Sequence, residues 1–228
     1  MGDERVRVQR GADRHRGGEP GEGIDSRYAF SFGGHYDPDN VRFGPLLACN
    51  EERLAPGSGF GEHPHRDVEL VSWVLAGTLT HQDAAGRTVT LGPGDLQHQS
   101  AGAGIRHAER NAGPEPLRFL QMWLEPGTAG GEPRYTVLRS VPLDEPYEVP
   151  GAGARLRVCR PAAGARLALP PAPRVYLVVT AGSVRLGDTM CEASDAARIT
   201  DAAGLTAEAG PAGAEVLIWE FDGGHGAP

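Results

Sequence analysis

Apolar and polar positions follow one another in short bursts along this chain, never in long stretches. V-E-L-V-S-W-V-L (68–75) and P-L-R-F-L-Q-M-W-L (116–124) are strongly apolar runs of strand length. T-L-T-H-Q-D (78–83), R-T-V-T-L (87–91) and L-Q-H-Q-S (96–100) alternate with the two-residue period of half-buried strands. Ala76-Gly77, D-A-A-G (83–86) and G-P-G-D (92–95) supply turns between them. Upstream, F-S-F (30–32), a Y-D-P-D-N turn at 36–40 and V-R-F-G-P-L-L-A-C (41–49) read as strand, turn and strand. Runs of helical periodicity are scarce, so the pattern predicts an all-β protein of the sandwich or barrel kind.

A faint internal repeat overlies this pattern. V-Y-L-V-V-T-A-G-S-V (175–184) lies over L-V-S-W-V-L-A-G-T-L (70–79), each an apolar strand reaching an Ala-Gly turn, and V-L-I-W-E-F (216–221) echoes F-L-Q-M-W-L (119–124). The expected organisation is therefore a partly ordered arm over residues 1–25, a first domain over 26–145 and a second over 146–228. Within the arm, V-R-V (6–8) could be a strand, whereas G-G-E-P-G-E-G (17–23) is expected as a loop.

With 228 residues, 39% of them hydrophobic, the chain can build one large core or two modest ones, and 33 Gly with 19 Pro suit many turns. A formal charge of −8 argues against direct contact with nucleic acid or anionic lipid. Cys49, Cys159 and Cys191 are odd in number and far apart, which fits free thiols in a reducing, cytoplasmic compartment. No export signal and no membrane-spanning stretch is expected from the residues.

The chemistry is concentrated in two short runs. His63 and His65 stand in G-F-G-E-H-P-H-R-D, and His107 and Glu109 in G-I-R-H-A-E-R-N. A spacing of i, i+2 turns both members of a pair to one face of a strand, so two adjacent strands would aim three imidazoles and a carboxylate at a single point. Residues 66–106 leave room for several short strands, allowing the pairs to meet. Neutral imidazole with carboxylate suits a divalent transition ion, and four protein ligands leave positions on an octahedral ion such as Fe(II) free for exchange. Ni, Co, Cu, Mn and Zn suit the same set.

Several neighbours have plainer readings. His81 and His98 share no spacing with a second ligand and are expected at the surface or rim, while His15, His35 and His225 belong to the arm, a turn and the tail. Gly102-x-Gly104 is followed by His107 and no helix, which argues against a nucleotide loop. Asp67 is expected to be solvated and Arg66 and Arg106 structural, and Phe43, Phe60, Met122 and Trp123 are either an apolar wall or ordinary core.

Gly57, His63, His65, Glu69 and Gly77, followed by Gly86, Pro93-Gly94-Asp95, His107 and Asn111, follow the two cupin motifs, with one gap longer by a residue. H-P-H-R-D, L-G-P-G-D-L-Q, S-A-G-A-G-I-R-H-A-E and F-S-F-G-G-H-Y-D-P-D-N-V-R-F-G narrow the resemblance to bacterial pirins over almost the whole chain. That resemblance implies a bicupin of two stacked jelly-roll domains, the first holding one metal ion, commonly iron, and the second without one. Ala168 and Pro170, standing in the repeat where His63 and His65 stand, agree with a second domain lacking ligands.

By motif position the resemblance carries the ligands onto His63, His65, His107 and Glu109. An ordinary cupin would use Glu69, which is left here either as a partner of a ligand imidazole or in an ion pair with an arginine. The activity implied is quercetin 2,3-dioxygenase: a flavonol ring is opened by O2 with both oxygens incorporated and carbon monoxide released, Glu109 serving as ligand and general base. Some pirins are instead regarded as regulators that bind a transcription factor or a metabolic enzyme, and this is the alternative expectation.

Overall fold

The computed structural model describes residues 3–223, so His225 lies outside the described residues. Among these residues there is no α-helix, only two single-turn 3-10 segments, and no helix is long and apolar enough to cross a membrane. The strands are β1 (Val6–Gln9), β2 (His15–Glu19), β3 (Ile24–Tyr28), β4 (Leu46–Leu54), β5 (Gly59–His65), β6 (Glu69–Ala76), β7 (Leu79–Asp83), β8 (Thr88–Leu91), β9 (Leu96–Ser100), β10 (Ile105–Arg110), β11 (Leu117–Leu124) and β12 (Arg134–Leu138). They continue with β13 (Tyr147–Val149), β14 (Ala154–Cys159), β15 (Arg166–Ala168), β16 (Arg174–Leu186), β17 (Thr189–Glu192), β18 (Ala196–Thr200) and β19 (Thr206–Phe221). The protein has the all-β, two-domain architecture of a bicupin.

The chain divides into two compact units, one of residues 15–42 and 46–141, the other of residues 3–14, 43–45 and 142–223. In the first unit a seven-stranded sheet runs β12-β9-β6-β11-β4-β3-β2, and a four-stranded sheet runs β5-β10-β7-β8, with every pairing antiparallel. Val74, Leu79, Leu91, Leu117 and Phe119 form its main apolar cluster. Each such side chain contributes about 1.5–3 kcal/mol when fully buried.

In the second unit β1-β18-β16-β19-β14-β13 form one sheet, joined by β17 on β16 and β15 on β19. Its core is aliphatic and complete: Val175, Leu177, Val179, Val184, Ile199, Val216 and Ile218 are all buried. The described part of 1–25 contributes strands to both units, since β1 pairs with β18 while β2 pairs with β3. The loop expected over 17–23 is corrected at its start, where Gly17 and Gly18 lie inside β2. A Cβ on Gly17 would come within 2.2 Å of the Tyr28 ring, so the glycine makes room for its cross-strand neighbour.

F-S-F is a turn held by a Phe32–His35 bridge rather than a strand, and β4 begins only at Leu46, after Gly44 and Pro45. The repeat survives with one difference. Gly77 ends β6, whereas the corresponding Gly182 lies inside the long β16, where the pairing with β19 shifts register on either side of it. Both glycines are left-handed, at φ +75° and +66°.

Candidate metal centre

β5 and β10 are direct antiparallel neighbours in which His107 faces His63 and Ile105 faces His65. The i, i+2 spacing keeps each pair of polar side chains on one face. A bulge follows, so that Glu109 stands opposite Phe60 instead of Gly61. On its other flank β10 pairs with β7, which sets His81 directly across from Glu109.

The three imidazoles form a nearly equilateral triangle, with ring centroids 4.7 Å (His63–His65), 4.6 Å (His63–His107) and 4.7 Å (His65–His107) apart. One donor nitrogen from each falls within 4.8 Å of the others. Glu109 is not in that group; it shares a second cluster of the same span with His107 and His81. Its Oε2 accepts a hydrogen bond from the Gln121 amide, and its Oε1 is buried without a partner.

Tautomers follow from the outer partners. His63 Nδ1–H donates to the Gly61 carbonyl at 2.7 Å, and His107 Nδ1–H donates to Gln99 Oε1 at 2.8 Å. Both Nε2 lone pairs are therefore left facing each other, 3.1 Å apart. Two ligands at right angles on one ion, each about 2.1 Å from it, would stand about 3 Å apart. His65 Nε2 is likewise buried without a partner. Three ring nitrogens on one face, with the His63 and His107 rings fixed through their other nitrogen, fit a divalent cation.

Burial first, and then the neighbouring imidazoles, hold the proton affinities down: His65 to about 4 and His107 to about 2, so these rings are neutral near pH 7. Burial lowers His81 to about 4 as well. The same burial pushes the Glu109 carboxyl up to about 7, against the hydrogen bond from Gln121 that favours the charged form.

Some expectations change here. His81 and His98, expected at the surface, are both buried. His81 lies in the site, and the alternation of Leu79 with His81 along T-L-T-H-Q-D carried that signal, since Leu79 is core. His98 Nε2 donates to Glu69 Oε2 at 2.7 Å and Ser100 Oγ donates to the same oxygen at 2.6 Å. Glu69 thus serves neither a ligand imidazole nor an arginine. Trp123 packs edge-on to His65 at 4.9 Å and Phe60 lies 6.4 Å from His63, but Phe43 packs on Tyr176 and Phe221 in the other unit. Asp67 is less solvated than expected, since its Oδ1 accepts from the Gly130 amide at 2.6 Å.

Beside His65 opens a cleft of about 810 Å³, lined by His65 and Gln99 together with Tyr135, Pro64 and Ile105. Arg66, Arg87, Arg106 and Arg134 also line it, against the single acid Asp83.

Comparison with known proteins agrees with this architecture. Residues 8–124 match the pirin family, and residues 154–221 match the quercetinase C-terminal cupin domain. A protein of Mycobacterium tuberculosis, provisionally named quercetin 2,3-dioxygenase, is 40% identical, with 95% of each chain covered. The quercetin 2,3-dioxygenase of Escherichia coli K12 is 33% identical over 87% of this chain and 91% of its own. The crystal structure of the bacterial pirin YhhW of Escherichia coli in complex with nickel(II) superimposes with a TM-score of 0.86 at 28% identity, covering 95% of this chain and 99% of that one. The paired cupin folds, the matched motifs and these relatives together establish that the chain belongs to the pirin family.

Proposed function

We propose that this protein is a metal-dependent dioxygenase of the quercetin 2,3-dioxygenase type, acting on a flavonol or a related enol-bearing aromatic, with one divalent ion, Fe(II) first among the candidates, held by His63, His65, His107 and Glu109. The observation that carries this reading is the triangle of imidazoles, whose His65 lines a cleft of substrate size. When bound, the ion would supply Lewis acidity toward an enol oxygen and access to O2.

The remaining steps belong to the chain's own side chains. Glu109, which shares a cluster with His107 and His81, is the acid suited to take the enol proton. Trp123 walls His65 and donates its indole N–H to Gln121 Oε1 at 3.2 Å, which keeps the Gln121 amide turned toward Glu109. The guanidinium groups at the mouth favour the ionised form of a substrate over the neutral one.

Protein loaded with Fe(II) without oxygen, then given quercetin and air, should consume O2 and bleach the flavonol absorbance, and His63→Ala should abolish both. Tight iron binding with no loss of flavonol would overturn the dioxygenase reading in favour of a binding or regulatory one.

A further inference from the structure

His81 is fully buried, lies directly across the β7–β10 pair from Glu109, and has no role in the four-ligand reading. Its ring is held from the cleft side. The Tyr135 hydroxyl donates to Gln97 Oε1 at 3.2 Å, which turns the Gln97 amide nitrogen to His81 Nδ1 at 3.3 Å. Nδ1 therefore accepts, and the ring proton resides on Nε2. The Tyr135 ring also packs on His81, with centroids 4.9 Å apart.

Nε2 of His81 is buried and unpartnered, and so is Oε1 of Glu109. A ring nitrogen of His81 lies within 4.8 Å of a Glu109 carboxylate oxygen. A buried donor and a buried acceptor left unmade on facing residues are each costly, and a small side-chain rotation or one bridging water satisfies both.

We propose that His81 is a positioning residue for Glu109: its Nε2–H holds the carboxylate through Oε1 while Gln121 holds Oε2, and the chain Tyr135–Gln97–His81 ties the wall of the substrate cleft to that carboxylate. The proposal rests on the assignment of Glu109 to the metal centre. It does not depend on the reaction catalysed there.

The test uses the Co(II)-loaded protein, read by its visible absorption and by metal titration, with no flavonol present. Glu109→Gln should shift the cobalt bands. His81→Leu should shift them in the same direction, still bind about one ion per chain with affinity lowered about 10–100-fold, and add nothing when combined with Glu109→Gln. His81→Gln, whose amide offers an N–H at a similar reach, should restore the wild-type bands.

Bands unchanged in His81→Leu beside shifted bands in Glu109→Gln would overturn the positioning role alone. Bands unchanged in Glu109→Gln would remove Glu109 from the ion and the proposal with it. Loss of the ion in His81→Leu as complete as in His63→Ala, without rescue in His81→Gln, would make His81 a ligand and overturn the proposal. Should His81→Leu fail to fold, Gln97→Leu reads the same link, because it frees the ring to turn: a smaller shift supports the proposal and no shift overturns it.

Discussion

His63 and His107 stand Nε2 to Nε2 at 3.1 Å across one antiparallel pair, and each has already committed its Nδ1 proton to an oxygen acceptor. Two lone pairs at that distance repel unless a cation lies between them. A proton held on His107 is disfavoured, since burial and the neighbouring imidazoles lower its proton affinity to about 2, and a divalent ion would bind both lone pairs without protonating either ring.

Removing either ring should therefore abolish tight binding of a divalent ion. Gln99→Leu, which frees the His107 ring without touching its lone pair, should cost about 10–100-fold in affinity. Titration with Ni(II) or Co(II) and elemental analysis of the purified variants measure both effects. Wild-type affinity in His63→Ala would sink the assignment.

Much of this site was legible because a strand has a period of two: H-x-H and H-x-E each announce one face, and β5 and β10 do lie side by side. What stayed hidden depends on partners that are remote in sequence. Leu79 and His81 share an inward face, but only the pairing of β7 with the far flank of β10 turns that into an approach to Glu109. Glu69 is set opposite Ser100 by the β6–β9 register, and nothing local announces His98 as its donor. Gly17 read as loop because its use, clearing space for Tyr28, belongs to a neighbouring strand.

The repeat offers a test of backbone rather than chemistry. A Cβ at Gly77 would meet the Pro116 carbonyl oxygen at 2.6 Å, and one at Gly182 would meet the Gly213 carbonyl oxygen at 2.1 Å, both at positive φ. Left-handed backbone alone costs about 1–3 kcal/mol for a residue with a Cβ, and the clash adds to it. Gly182→Ala should lower the melting temperature while metal affinity in the intact remainder is kept, because Gly182 and the metal centre belong to different units. Gly77→Ala should reduce both. Equal loss of metal binding in the two variants would contradict that separation.

Glu52, which is not among the proposed ligands, gives the protein a further pH dependence. It is buried and accepts from the Ser26 hydroxyl, and burial raises its carboxyl from 4.5 to about 7, with the charge of Glu109 adding to the rise. A folded-state value above the unfolded one means that stability from this group is full below about pH 4.5 and is lost as pH climbs through about 7. Glu52→Gln removes the ionisable group. Its stability relative to wild type should therefore increase with pH, from little difference at pH 5 to a gain of the order of 3 kcal/mol at pH 8. Thermal melts across that range measure it, and a difference independent of pH would show that Glu52 is ionised throughout.

The arginines of the cleft bear on what it admits. Arg66 is paired with Asp67 at 3.1 Å, Arg87 with Asp83 at 3.8 Å and Arg106 with Glu62 at 2.7 Å, while Arg134 has no ion pair among the described residues. In a protein of net charge −8, a free guanidinium beside a candidate cation makes this mouth a local attractor for anions. Arg134→Gln should raise KM for an ionised flavonol several-fold and leave kcat within about twofold, as expected for a group that attracts substrate without touching the reacting atoms. Added salt should raise the wild-type KM in the same direction, because screening shortens to about 10 Å at 0.1 M, and it should affect Arg134→Gln less. Oxygen uptake measured against flavonol concentration at low and high salt separates the two. A KM that is indifferent to both salt and the substitution would mean that the cleft takes its substrate neutral.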